Sequence, residues 1–215
     1  MSIAAAVAKE SIAASVGRAP VIAVVRHHDR AEAARQARAF LAGGLELVEI
    51  TFTVPDADGL VRELIAERGG AGPPYVGMGT VTTAERARAA VAAGAEFLVT
   101  PNIDEEVARI ARDARLYLVI GALTPSEIVA AKALGADLVK VYPLPPVGGP
   151  AYLAVVRQPL GDVGPMLAGG GFGIEEIPAY RAAGAVAFGI GAPLIGGDPQ
   201  ETQARIARAL ELARG

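Results

Sequence analysis

The chain has no cysteine, no tryptophan and only two histidines in 215 residues. Without cysteine there is no disulfide scaffold, no thiolate metal site and no cysteine nucleophile. His27 and His28 are adjacent, so a multi-histidine metal site cannot be assembled, and any metal would need mostly oxygen ligands. No metal and no cofactor are expected. Excess positive charge is missing too: a formal charge of −3 lacks the electrostatic footprint of phosphate-backbone binding, which argues against a nucleic-acid partner. No uncharged apolar run reaches the roughly 18 residues of a spanning helix. Lys9 and Glu10 interrupt the alanine-rich N-terminus where a secretory signal would be continuous. A single domain over residues 1–215, cytoplasmic and without a membrane partner, is the expectation.

Lysine is the next scarcity. Seventeen of the twenty basic residues are arginine, and the three lysines are Lys9, Lys132 and Lys140. Lys9 falls in an N-terminal helical stretch and Lys132 among alanines on a helix surface. Lys140 instead interrupts the apolar run Leu138-Val139-Lys140-Val141-Tyr142-Pro143.

Short apolar runs with strand character alternate with helical segments rich in alanine, arginine and glutamate. The strands are read at 21–25, 45–50, 75–79, 97–100, 116–120, 138–142, 166–168 and 186–190. Helices are predicted over 31–41, 84–93, 105–112 and 126–134. Asp29, Thr82 or Thr83, Asp104 and Thr124-Pro125 stand at their starts, where a side-chain acceptor meets an orphan N–H or proline removes it. Eight alternations predict an α/β fold, a (β/α)8 TIM barrel with an extra N-terminal helix. An open doubly wound sheet is the alternative, usually with fewer strands at this length.

An internal repeat favours the closed form. The segments 42–49, 92–99, 133–140 and 182–189 align without gaps, each ending a helix at a glycine and opening a strand. Their glycines, Gly44, Gly94, Gly135 and Gly184, are spaced by 50, 41 and 49 residues. That places one repeat in every second unit, on strands two, four, six and eight. Alternate strands of such a barrel share interior layers, so Glu49, Val99, Lys140 and Gly189 are predicted in one layer. Thr51, Pro101, Tyr142 and Gly191 follow in the next layer toward the mouth.

A buried Lys140–Glu49 pair has a plain structural reading, an ion pair inside the barrel. Such a pair is a weak source of stability once desolvation is counted. The functional reading makes Lys140 a Schiff-base nucleophile in apolar surroundings that disfavour its charged form, with Glu49 as the proton shuttle. Gly169-Gly170-Gly171 after strand seven and Gly189-Ile190-Gly191-Ala192 at strand eight lie where many barrels bind phosphate through backbone N–H groups. Tight turns alone would also account for them. Arg26, ending strand one, could hold a carboxylate, and Thr80 ends strand three at the mouth. His27 and His28 read as loop residues, and Arg86, Arg88, Arg109 and Arg112 as solvated helix faces.

These residues, in this order and spacing over nearly the whole chain, resemble the bacterial 2-keto-3-deoxy-6-phosphogluconate and 2-keto-4-hydroxyglutarate aldolase family, with its 2-keto-3-deoxy-6-phosphogalactonate branch. The resemblance is carried by Val48-Glu49-Ile50, Gly77-Met78-Gly79-Thr80-Val81, Val99-Thr100-Pro101-Asn102-Ile103, Leu138-Val139-Lys140-Val141-Tyr142-Pro143 and Gly170-Gly171. It implies a class I aldolase, typically a homotrimer, that takes a keto-deoxy sugar acid and releases pyruvate. Lys140 would form the Schiff base, with Glu49 as general acid/base. Thr80, Pro101 and Tyr142 would line the pyruvyl site, and Gly170, Gly171 and Gly191 the phosphate end. Thr53 stands where gluconate-type members commonly carry arginine, which turns attention to Arg26 as the carboxylate or hydroxyl contact. Ala192 replaces a frequent serine, which opens the way to a non-phosphorylated 2-keto-4-hydroxy acid. A phosphate-binding barrel isomerase or synthase is the alternative enzyme, and a non-catalytic sugar-phosphate binding protein the alternative outside catalysis.

Overall fold

The computed structural model describes residues 3–160 and 163–215, with residues 3–8 described by backbone only. In chain order the elements are α1 (Ile3–Arg18), β1 (Val21–Val25), α2 (Arg30–Ala42), β2 (Leu47–Thr51), α3 (Ala57–Arg68), β3 (Tyr75–Gly79), α4 (Ala84–Ala92) and β4 (Phe97–Val99). They continue as α5 (Glu105–Asp113), β5 (Tyr117–Ala122), α6 (Pro125–Ala133), β6 (Leu138–Val141), α7 (Gly149–Arg157), β7 (Met166–Ala168), α8 (Ile177–Ala182), β8 (Ala187–Ile190) and α9 (Pro199–Arg214). The eight strands are parallel and close on themselves, β8 pairing with β1. The closed barrel is therefore the architecture, and the open doubly wound sheet is not. Strands in such a barrel are covered on both faces, which is why they read as nearly continuous apolar runs.

Local chemistry sets the helix boundaries. Asp29, Thr83, Asp104 and Thr124 each accept a hydrogen bond from the backbone N–H three residues on, and Glu127 completes a capping box with Thr124. Each such cap stabilises its helix by about 1 kcal/mol. At the other ends, the four repeat glycines take φ values of 81 to 96°, a left-handed turn that costs glycine little and feeds the chain straight into β2, β4, β6 and β8. Strand β2 begins at Leu47, two residues later than the apolar pattern suggests. Leu45 is spent on the turn, its N–H bonded to the Phe40 carbonyl.

The apolar residues form two concentric cores. The outer one packs the helices on the barrel, with Phe40, Leu60, Leu64, Met78 and Tyr180 among its fully buried members. The inner one fills the N-terminal half of the barrel with Ile22, Leu47, Tyr75, Phe97, Tyr117, Leu138 and Leu167. Ile12 and Val16 of α1 belong to this inner core, so the extra N-terminal helix plugs the lower opening. Lys9 anchors it to Asp137 at 3.0 Å. Open space is thereby left at the C-terminal mouth, where the strand-end loops meet.

Candidate active site

Glu49 and Lys140 come from β2 and β6, almost opposite one another in the barrel wall. Both point inward above the inner core, as the alternate-strand reading requires, and Lys140 Nζ lies 3.9 Å from Glu49 Oε2. Lys140 opens to the mouth through 13% of its side-chain surface, whereas Glu49 keeps 3%. Burial raises the Glu49 pKa above the usual carboxylate range, against the opposing pull of the Lys140 and Arg26 charges. The Tyr142 ring stands 5.5 Å from Lys140 Nζ and forms part of the rim.

Room for this pair comes from glycines on the odd-numbered strands. A Cβ on Gly79 would lie 1.8 Å from Glu49 Oε1, and one on Gly169 would lie 3.1 Å from Lys140 Cε. A Cβ on Gly121 would meet the Pro101 backbone at 2.4 Å, so that loop settles directly on β5. None of these glycines carries this spacing role among the sequence-based expectations. The signal was available in the period-two positions of β3 and β5 and, carried one residue past β7, at its end, which place Gly79, Gly121 and Gly169 facing inward.

Arg26 spans the ends of three strands. Its Nη1 donates to Thr53 Oγ1 at 3.3 Å and its Nη2 to Thr80 Oγ1 at 3.2 Å. Thr51 Oγ1 donates to the Val25 carbonyl at 2.9 Å and lies 2.7 Å from Thr53 Oγ1. A hydroxyl has one hydrogen, so Thr53 must donate to Thr51, and the chain of donors runs from Arg26 through Thr53 and Thr51 to Val25. Thr53, which departs from the arginine common in the gluconate-type members that the sequence resembles, therefore orients the arginine that directly follows β1.

Thr80 takes φ 58°, an uncommon conformation for a β-branched residue. Arg86 Nη1 donates to its carbonyl at 3.2 Å and to Thr82 Oγ1 at 2.8 Å, while the guanidinium covers the Phe52 ring at 5.5 Å. Arg86 is thus half-buried and braces the site, unlike the solvated face read for it. Arg88 and Arg109 do lie exposed, paired with Glu106, and Arg112 donates to the Leu134 carbonyl.

The mouth holds a cavity of about 700 Å³. Of the sequence-predicted site residues, Lys140, Arg26, Thr80, Pro101, Tyr142, Gly170, Gly171 and Gly191 all line it, whereas Glu49 is not part of the lining and lies behind it, 3.9 Å from Lys140 Nζ. Thr100, Gln36, Pro193 and His27 line it as well. Gly191 is glycine for a steric reason, since a Cβ there would lie 2.7 Å from the Val24 carbonyl where β8 meets β1. Among the described residues no three histidine or carboxylate side chains gather in a metal-binding group.

Residues 12–209 match the KDPG and KHG aldolase family. The chain belongs to that family. It is therefore a carbon–carbon lyase. The 2-dehydro-3-deoxy-phosphogluconate aldolase of Pseudomonas aeruginosa is 34% identical over 165 residues, 76% of this chain and 71% of that protein. The 2-dehydro-3-deoxy-6-phosphogalactonate aldolase of Escherichia coli is 29% identical over 175 residues, 81% of this aldolase and 84% of its relative. Among solved structures, native KDPGal superimposes with a TM-score of 0.81 at 27% identity, covering 91% of this chain and 94% of the other. The Zymomonas mobilis 2-keto-3-deoxy-6-phosphogluconate aldolase with 3-phosphoglycerate gives 0.82 at 25% identity, over 96% and 98%. No helix among the described residues is long and apolar enough to cross a membrane.

Proposed function

We propose that this class I aldolase cleaves a 2-keto-3-deoxy-6-phospho sugar acid of the galactonate or gluconate type to pyruvate and glyceraldehyde 3-phosphate. The observation that carries the reading is the Lys140–Glu49 pair, 3.9 Å apart, with Lys140 lining the cavity and Glu49 buried beside it. Lys140 as a neutral amine attacks the C2 ketone, the carbinolamine loses water, and the iminium draws the C3–C4 bonding electrons into an enamine as the aldehyde leaves. Glu49 moves the protons: it assists loss of water and takes the C4 hydroxyl proton, and its acid form returns a proton to C3. A carboxyl with a pKa raised by burial suits a group that must both give and take. Arg26, held in place by Thr53 and Thr80, carries the two outward donors suited to the C1 carboxylate. Thr80, Pro101 and Tyr142 enclose the pyruvyl part, and Gly170, Gly171 and Gly191 let the backbone approach the far end of the substrate.

Incubation with pyruvate and borohydride tests this reading: a reduced adduct on Lys140, lost in Lys140→Ala together with pyruvate release, is expected. Substantial cleavage by Lys140→Ala would overturn it. The same assay separates a phosphate-binding isomerase or synthase, which needs no imine.

Three further parts belong to the reading. Residues 1–215 act as one domain, because α9 closes back on the end of α1, where Arg214 Nε donates to the Arg18 carbonyl at 2.9 Å. Three copies assemble, since Val129 on α6 and Val155 on α7 stand 48% and 64% exposed on the outer ring, and light scattering should find about three times 21.9 kDa. The site of action is the cytoplasm, where a substrate carrying both a carboxylate and a phosphate is retained by the bilayer.

A further inference from the structure

The far end of the cavity is built where three neighbouring strands finish. Gly170 and Gly171 follow β7, Ala192 and Pro193 follow β8, and His27 follows β1. Strand β8 pairs with both others. The permanent cations lining the cavity are spent elsewhere: Arg26 is turned to Thr53 and Thr80 on the β2–β3 side, and Lys140 projects from β6. Ala192 offers no side-chain donor. Among the described lining residues, His27 is then the remaining side chain that can carry positive charge.

The His27 ring is oriented by its own loop. Its Nδ1 lies 3.0 Å from the Asp29 N–H and 3.2 Å from the Asp29 carbonyl oxygen, and it stacks on His28 with centroids 4.5 Å apart. A neutral ring accepts from that N–H, and a cationic ring donates from Nδ1 to that carbonyl. In both states Nε2 keeps its hydrogen, and no described residue accepts it. The nearby Glu32 carboxylate is already engaged by both arms of Arg35, at 2.8 and 2.6 Å.

We propose that His27 is a specificity-determining residue of the substrate site, its Nε2–H donating to the terminal phosphate of the keto-deoxy sugar acid. The assignment rests on the aldolase reading of this cavity. The test compares cleavage of a 6-phosphorylated 2-keto-3-deoxy sugar acid with that of its unphosphorylated counterpart by wild type, His27→Ala and His27→Gln. The ratio of kcat/KM for the two substrates should fall about tenfold or more in His27→Ala, mostly through KM, as loss of a charge-assisted hydrogen bond implies. His27→Gln, which keeps a donor, should recover part of it. An unchanged ratio overturns the proposal. Glycerol 3-phosphate binding, followed by calorimetry, reads the same contact without chemistry: about tenfold weaker binding to His27→Ala supports it, and equal affinity overturns it. If wild type cleaves neither substrate, the aldolase reading fails and this titration still decides the role of His27. If His27→Ala does not fold, the ratio and the titration are taken from His27→Gln, where no change overturns the proposal.

Discussion

Lys140 Nζ stops 3.9 Å short of Glu49 Oε2, close enough for each charge to feel the other and too far for a hydrogen bond to lock the amine. Among the described residues neither carboxylate oxygen of Glu49 receives a hydrogen bond, so burial raises its pKa against the Lys140 and Arg26 charges alone.

Glu49→Gln should raise the melting temperature at neutral pH. The folded-state pKa of Glu49 lies above its unfolded value, so the folded state binds the proton more tightly. That contribution is complete below about pH 4.5, the unfolded value, and is lost as pH rises through the folded pKa. Glutamine never ionises and escapes the loss. Melting curves from pH 4 to 8 should show the advantage of Glu49→Gln widening upward, while pyruvate release falls by about a hundredfold or more. An advantage that shrinks as pH rises would contradict the assignment.

Gly79→Ala places a methyl 1.8 Å from Glu49 Oε1. The carboxyl is enclosed and must swing away from Lys140 or strain the strand. A stability loss of about 1–3 kcal/mol is expected together with a fall in kcat of at least roughly tenfold, since misplacing a reacting group is costly. Thermal melts and steady-state assays check both, and an unimpaired Gly79→Ala would show that Glu49 needs no such space.

Thr53→Val removes the acceptor of Arg26 and the donor to Thr51. KM for the keto acid should rise roughly tenfold with kcat less affected, as expected when ground-state binding is lost, and Thr53→Ser should restore it. Equal damage by serine and valine would point to packing rather than to the hydroxyl.

Away from the site, Arg68 and Glu96 form a largely enclosed pair at 2.7 Å, with side chains 11% and 15% exposed, and Glu96 also accepts from the Val76 N–H. Glu96→Ala leaves the guanidinium without its charged partner, with only the Pro74 and Gly70 carbonyls as acceptors, and that N–H without its acceptor. A cost of about 3 kcal/mol is expected, lowering the melting temperature by roughly 6–12 °C in a chain of this size, with catalysis of the folded fraction retained.

Much of the barrel was legible because its periodicities are local. Helix caps at Asp29, Thr83, Asp104 and Thr124 are decided within four residues, and the repeat glycines within one helix-to-strand turn. The strand pattern then placed Glu49 and Lys140 in one layer across 91 residues of chain, because inward-facing positions alternate strictly along a strand. Arg86 was less legible: an arginine early in α4 carries no periodic mark, and its burial depends on Phe52 and on the strained Thr80 lying beneath it. His27 likewise reads as a loop residue until β1 and β8 are joined and its ring becomes cavity wall.

The sequence by itself determined the eightfold alternation, the layer that holds Glu49 and Lys140, and the scarcity of lysine that points to Lys140. Each follows from backbone geometry and local capping, which act over a few residues. Only the tertiary structure decided the 3.9 Å separation of that pair, the space that Gly79 and Gly169 leave around it, and the turning of Arg26 onto Thr53 and Thr80. Those depend on closure of the sheet, which brings together residues from distant strands whose mutual distances no local pattern encodes.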